Sequence, residues 1–265
     1  MLKLNNQQIK HLIPFFECHI AQELEYAASG KAPFGPVEIE VYADNIIKPN
    51  TMLLINGFAG TALYGDASNS ERNQEIKKLL IDCFNEEDKE IWLSLYSPSW
   101  EPVIDTLFCE FSSWKAYRLI HRLNEETFQK HLGWRDKIPK DYSMVKLDAS
   151  SYEPERYPNI QWKPESNKFG WFLLKDDKVI SACTSVWVET TGVETGCVEI
   201  GIETEESYRR QGFAQLTAAA FVEDCLLMDL TPVWCCWNFT EGSKELAEKI
   251  GFEIIENRRA IFIKK

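Results

Sequence analysis

The stretch Arg209-Arg210-Gln211-Gly212-Phe213-Ala214 is where residue types and spacing in this chain point most directly to chemistry. Two guanidinium groups and one glycine stand where a polar loop enters a strongly apolar run, Ala214–Met228. A helix starting there leaves its first backbone N–H groups without internal acceptors, and its dipole adds partial positive charge at the same spot. Gly212 lets a ligand approach the backbone without meeting a Cβ. Together these features describe a cradle for a pyrophosphate. A solvated, arginine-rich helix start is the plainer alternative.

Carboxylates stand just upstream. Strand alternation along Glu199-Ile200-Gly201-Ile202-Glu203 puts Glu199, Gly201 and Glu203 on one face, opposite the two isoleucines. A carboxylate partly desolvated by a sheet is suited to accept a proton, and Glu199 is the first candidate base, Glu203 the second. Solvated strand-edge carboxylates are the alternative. Trp187, Trp234 and Trp237 flank the same region, either as a cation–π wall or as core. The acidic run Glu203, Glu205 and Glu206 reads as a solvated loop. Gly57–Gly60 lacks the following lysine of a phosphate loop and reads as a tight turn.

The elements that would carry these residues follow from periodicity. Ile9, Ile13, Phe16, Ile20 and Leu24 recur at helical steps and end at Gly30, with Pro14 implying two helices or one kinked helix. Strands are expected at 37–41, 52–55, 62–64, 90–96 and 114–120. Helices are expected from Asn69 or Ser70 to Cys83 and over 100–108. Gly133, Pro139 and the charged run Arg135-Asp136-Lys137 divide the chain into regions 1–138 and 139–265. In the second region, strands at 143–147, 170–174, 179–189 and 197–203 precede a buried helix over 214–228. A strand at 232–237 follows, then a helix over 241–250 capped by Thr240 and stopped at Gly251, and strands at 252–255 and 260–264.

The pattern Arg209-x-x-Gly212-x-Ala214 resembles the coenzyme A signature of the GNAT N-acetyltransferase superfamily. The resemblance continues through Pro232-x-Trp234, Asn238, Ser243 and Leu246-Ala247-Glu248-Lys249-Ile250-Gly251-Phe252. Its ending and the extra amino-terminal region are most similar to a bacterial branch that includes zwittermicin-resistance-type acetyltransferases. The resemblance implies an α/β (α+β) fold, with a GNAT-like mixed sheet flanked by helices over 139–265. Region 1–138 would cap or shape the acceptor side, or form a second, degenerate GNAT-like half. It implies acetyl-CoA lying between separated fourth and fifth strands, with N–H groups near Glu203 and Thr204 polarising the thioester. Arg209, Arg210, Gln211, Gly212, Phe213 and Ala214 would hold the pyrophosphate, and Asn238 and Ser243 the pantetheine. The implied activity is acetyl transfer to the primary amine of a small molecule. The tyrosine often found four residues before the closing glycine is Ala247 here, which keeps a non-catalytic acyl-CoA-binding or regulatory protein as the alternative.

Composition narrows the partners. The chain has 265 residues, 29 Lys+Arg against 41 Asp+Glu, and a net charge of −12. A field of that sign repels phosphate backbones and anionic lipid, so neither nucleic acid nor membrane is an expected partner, whereas amines are favoured. The amino terminus lacks the apolar core of a signal peptide, which implies a cytoplasmic protein with eight free cysteines. No CxxC pair exists and the four histidines lie far from paired cysteines, so no metal site is expected. Asn238-Phe239-Thr240 matches a glycosylation sequon only by coincidence on that reading.

Overall fold

The computed structural model describes residues 1–16, 18–30, 38–56, 60–82, 90–157, 168–188 and 196–264. The Gly57–Gly60 turn (except Gly60), Cys83, and the loop at 190–195 lie outside them. The chain divides into two compact units, Met1–Arg118 with Asn257–Lys265, and Leu119–Glu256. The sequence boundary at 138/139 falls inside the second unit.

The first unit contains β1 (Leu2–Lys3), α1 (Asn6–Leu12), α2 (Cys18–Ser29), β2 (Ile39–Ala43), β3 (Thr51–Asn56), β4 (Gly60–Gly65), α3 (Ser70–Asp82), β5 (Glu90–Leu95) and α4 (Trp100–Leu107). Asn5 starts α1 with a capping box: its side chain accepts from Gln7 and Gln8, and Gln8 returns a bond to the Asn5 N–H. Pro14 lies in a 3-10 turn at Ile13–Phe15, so the helical pattern is two helices. Strand pairing is antiparallel from β1 to β4 and parallel between β4 and β5. The apolar run Met52-Leu53-Leu54 is covered on both faces. Met52 and Leu54 pack with α1 and α2, and Leu53 with α3 and α4.

The second unit shares the closing strand–helix–strand–helix order of the first, and among the described residues its opening differs. β6 (Ser112–Leu123) enters it, followed by α5 (Glu125–Phe128) and short 3-10 turns at Gln129–His131 and Trp134–Lys137. Then come β7 (Ser143–Asp148), β8 (Phe169–Lys175), β9 (Lys178–Val188), β10 (Cys197–Thr204), α6 (Phe213–Leu227), β11 (Thr231–Trp237) and α7 (Glu241–Ile250). β7 to β10 pair antiparallel, and β10 and β11 pair in parallel across α6. Asp176 and Asp177 both take positive φ, 50° and 60°, which gives the β8–β9 hairpin its tight turn. α6 is apolar on nearly every side, and Phe221, Val222 and Cys225 are wholly buried.

Two sequence expectations change here. The segments 252–255 and 260–264 are one strand, β12 (Phe252–Lys264), rather than two. Its last part pairs antiparallel with β5, from Arg259 opposite Leu95 to Lys264 opposite Glu90, so the first unit is closed by residues 257–264. In the second unit the strand beside β11 is β6. Thr240 occupies the N-cap position of α7, but its hydroxyl makes no capping bond and donates instead to the Trp237 carbonyl at 2.6 Å. Gly251 ends α7 at φ 114° as expected.

Candidate functional site

β10 and β11 pair only from Cys197 opposite Thr231 to Glu199 opposite Val233. Beyond that point β10 continues to Thr204 and β11 to Trp237 without a ladder between them. A bulge lies at the same level: Glu199 pairs with Trp187 but Ile200 with Ser185, so β9 carries the extra residue Val186 and bends β10 away.

Main-chain directions follow from the neighbouring bonds. The Glu205 N–H donates to Ile180 on β9 at 2.9 Å, and Ser181 Oγ donates to the Glu203 carbonyl at 3.1 Å. Alternation then turns the peptide groups of Ile200, Ile202 and Thr204 towards the gap. Glu203 therefore reaches the cleft through its side chain, whereas Thr204 offers its peptide as well. The Ser181 hydroxyl also meets Thr204 Oγ1 at 2.7 Å and Thr217 Oγ1 at 3.3 Å, tying the end of β10 to α6.

The turn into α6 is built as a cradle. Arg210 takes φ 62° and Gly212 φ 86°, and a Cβ added at Gly212 would meet nothing within 4 Å. The glycine thus satisfies a left-handed backbone and leaves space beside the helix start. No side chain caps α6, so its first N–H groups face that space. Arg209 Nε donates to the Thr204 carbonyl at 3.1 Å, and Gln211 Nε2 to the Ser207 carbonyl at 3.3 Å, which folds the turn back on β10. Phe213 is buried against Tyr142, ring centroids 4.9 Å apart.

These features enclose a cleft of about 590 Å³. One wall is Ile202, Glu203 and Thr204; the end is Tyr208, Arg209, Arg210, Gly212, Phe213, Ala214 and Gln215. The opposite wall is Gly242, Ser243, Glu245, Leu246 and Lys249 of α7. The structure thus brings together most of the residues expected at the site. Glu199 is half-buried where strand pairing ends and is not among the lining residues. Gln211 and Asn238 are exposed; Asn238 lies in the turn after β11, also off the lining. Trp234 is core, 1% exposed, and donates to Ser243 Oγ at 3.1 Å. Trp237 stacks on Phe239, and the Trp187 side chain lies outside the described residues. Glu205 is ion-paired with Lys178 at 2.6 Å. Sequence reasoning missed the contribution of Gly242, Glu245 and Lys249. Their spacing of three and four residues with Leu246 places them along one helix stripe, a signal that was present.

One nearby histidine is biased towards its neutral form. His131 Nε2–H donates to the Lys249 carbonyl at 2.8 Å and its Nδ1 accepts from Gln215. Burial lowers its pKa; the bond to the Lys249 carbonyl opposes this, and the charges of Lys130, Lys137 and Lys249 add to the lowering. Among the described residues no cluster of metal-ligating side chains occurs, and no helix is long and apolar enough to cross a membrane.

A mixed sheet whose parallel pair opens beside a glycine-led helix start is the architecture of an acyltransferase fold. The sequence matches the GNAT acetyltransferase family over residues 37–261, and the chain belongs to that family. It is 25% identical over 227 residues to the uncharacterized N-acetyltransferase YdfB of Bacillus subtilis, covering 81% of this chain and 82% of that one. Among solved structures it is similar to a GCN5-related N-acetyltransferase-like protein from Streptococcus suis, with a TM-score of 0.62 and 21% identity, covering 97% and 99% of the two chains. It is also similar to a tandem GNAT protein from the clavulanic acid biosynthesis pathway, with a TM-score of 0.67 and 9% identity, covering 99% and 97%.

Proposed function

We propose that the second unit is the catalytic half of an acetyl-CoA-dependent N-acetyltransferase acting on the primary amine of a small molecule. The observation that carries this reading is the open β10 edge running into the unfilled turn at Gly212. Unpaired strand edges accept an extended amide-bearing chain as an added strand, which suits pantetheine. The first-turn N–H groups at Phe213 and Ala214, with Arg209 and Arg210, suit a pyrophosphate.

Acetyl-CoA would supply an activated acyl carbonyl; this chain's own residues bind and orient it and manage a proton. The Thr204 peptide faces the gap, where an N–H stabilises negative charge developing on a carbonyl oxygen. An alkylammonium has a pKa of about 10.4, so the amine must lose a proton before it attacks. Glu203 lines the cleft and is the first candidate base on geometry; Glu199, beside the point where the strands part, is the second. The net charge of −12 favours a cationic acceptor over an anionic one.

The first unit fits the role of a second, degenerate half. Its β4–α3–β5–α4 run matches β10–α6–β11–α7, with β4 and β5 in parallel across α3, but its helix start is filled from within. Asn69 Oδ1 caps the Arg72 N–H at 2.9 Å, Asp66 accepts from Ser68, and Arg72 pairs with Asp44 at 2.9 Å. The cap and the carboxylates disfavour a phosphate at this helix start, so one coenzyme per chain is expected.

A non-catalytic acyl-CoA-binding protein is the second reading, favoured by Ala247, which is fully buried and brings no polar group to the cleft. Calorimetric titration with acetyl-CoA, with Gly212→Glu as control, tests both. Saturable binding at a stoichiometry of one, lost in the variant, supports the site. No binding by the unaltered protein overturns it. Turnover of an amine panel then separates enzyme from binder.

A further inference from the structure

The α7 wall of the cleft contains a hydroxyl whose polarity is set by its neighbour. Ser243 Oγ lies 3.1 Å from the indole nitrogen of Trp234. An indole N–H can only donate, so the serine oxygen accepts there and its own proton is left for another partner. Among the described residues no protein acceptor takes that proton. Trp234 is fixed: it is wholly buried, its ring packs on Phe252 at 5.4 Å, and its carbonyl accepts from His121 Nδ1–H at 3.0 Å.

We propose that Trp234 is a positioning residue that turns the Ser243 hydroxyl into the cleft as a hydrogen-bond donor to the thioester sulfur. The inference rests on the acetyl-CoA reading above. Two thioester atoms gain negative charge during transfer: the carbonyl oxygen as the N–C bond forms, and the sulfur as the C–S bond breaks and it keeps the bonding pair. Peptide groups of β10 suit the first, and Ser243 on the opposite wall suits the second. The carboxylate base takes the ammonium proton before attack, and the nitrogen sheds its second proton to solvent water as the amide forms. Ser243 keeps its proton throughout, and the coenzyme leaves as a hydrogen-bonded thiolate that solvent protonates.

The test measures thiol release from acetyl-CoA with hydroxylamine as the acceptor probe, together with calorimetric affinity for coenzyme A and the indole N–H resonance of Trp234. Ser243→Ala should lower kcat about tenfold, the loss of one bond to a charged acceptor, while affinity changes less than about twofold. Ser243→Thr, which keeps the hydroxyl, should stay within about threefold of the parent. Trp234→Phe should lower kcat about threefold, and the double variant should be no slower than Ser243→Ala, because the two groups act in series. The Trp234 resonance should move upfield in Ser243→Ala. Full kcat in Ser243→Ala, additive losses in the double variant, or an unmoved resonance would overturn the proposal. Should Trp234→Phe misfold, the serine variants and the resonance still decide it. A parent protein that binds no coenzyme overturns the coenzyme reading instead, which the resonance distinguishes from absence of the Trp234–Ser243 bond.

Discussion

Arg210 in the cradle turn and Glu245 on α7 face one another across the cleft, Nη1 to Oε2 3.4 Å, with side chains 83% and 63% exposed. An ion pair that open contributes only ~0–1 kcal/mol, so the guanidinium can exchange its partner for a phosphate oxygen. Glu245→Gln should therefore tighten acetyl-CoA binding roughly two- to fivefold at low salt. The gain should vanish near 1 M salt, where the Debye length is about 3 Å. Titration at both ionic strengths checks this, and weaker binding in the variant would show that Glu245 holds Arg210 in its binding position.

Gly212 separates strain from obstruction. An alanine there meets no neighbour but must adopt φ 86°, a cost of about 1–2 kcal/mol. Gly212→Ala should lower the melting temperature by about 2–4 °C and weaken coenzyme binding only modestly. Gly212→Glu adds a carboxylate in the path of the pyrophosphate, and like-charge contact of that kind should cost about 100-fold or more in affinity. Thermal melts beside calorimetry on both variants distinguish the two effects.

The base is identified by a pH–rate profile. If Glu203 takes the amine proton, Glu203→Gln should lower the rate about 10²-fold or more at neutral pH and regain part of it in alkali, where the amine is already neutral. Glu199→Gln should then be close to the parent. The opposite pattern would assign the role to Glu199, and two unaffected profiles would remove both carboxylates from the mechanism.

Glu23 on α2 gives the first unit a pH-dependent stability. Burial pushes its carboxyl up from 4.5 to about 7, against the opposing pull of the Arg258 guanidinium. The folded state then holds a proton that the unfolded chain has lost, so this group's stabilising contribution is full below pH 4.5 and lost as pH rises through about 7. Glu23→Gln should be more stable than the parent at pH 8 by on the order of 1 kcal/mol, with the advantage shrinking by pH 5. Denaturant titrations at the two pH values measure it, and equal differences at both would contradict the assignment.

Local chemistry was legible in the sequence, and long-range pairing was not. Gly212 and the arginines before it could be read because a left-handed turn into an apolar helix admits few residue types. The α7 stripe was equally available from its spacing. The parting of β10 from β11 was not, because Ile200, Ile202, Trp234 and Cys236 read the same whether or not a neighbour is bonded to them. β12 read as two strands because Arg258 and Arg259 interrupt its apolar alternation. In the fold Arg259 pairs with Glu101 at 3.0 Å and stacks on Tyr117, while Arg258 covers Tyr96 at 4.1 Å and donates to its hydroxyl. Those partners are distant in sequence, so nothing local announced that the strand continues.

The closing of β5 by residues 259–264 also sets a timetable. When this chain is made from its amino end, β1 to β5 and their helices emerge before the second unit, but the strand that completes their sheet emerges only after it. Until then Ile261 and Ile263 are missing from the core of the first unit and the ladder of β5 lacks that partner. The nascent first half is thus an unfinished folding unit that must stay soluble while some 140 further residues are synthesised.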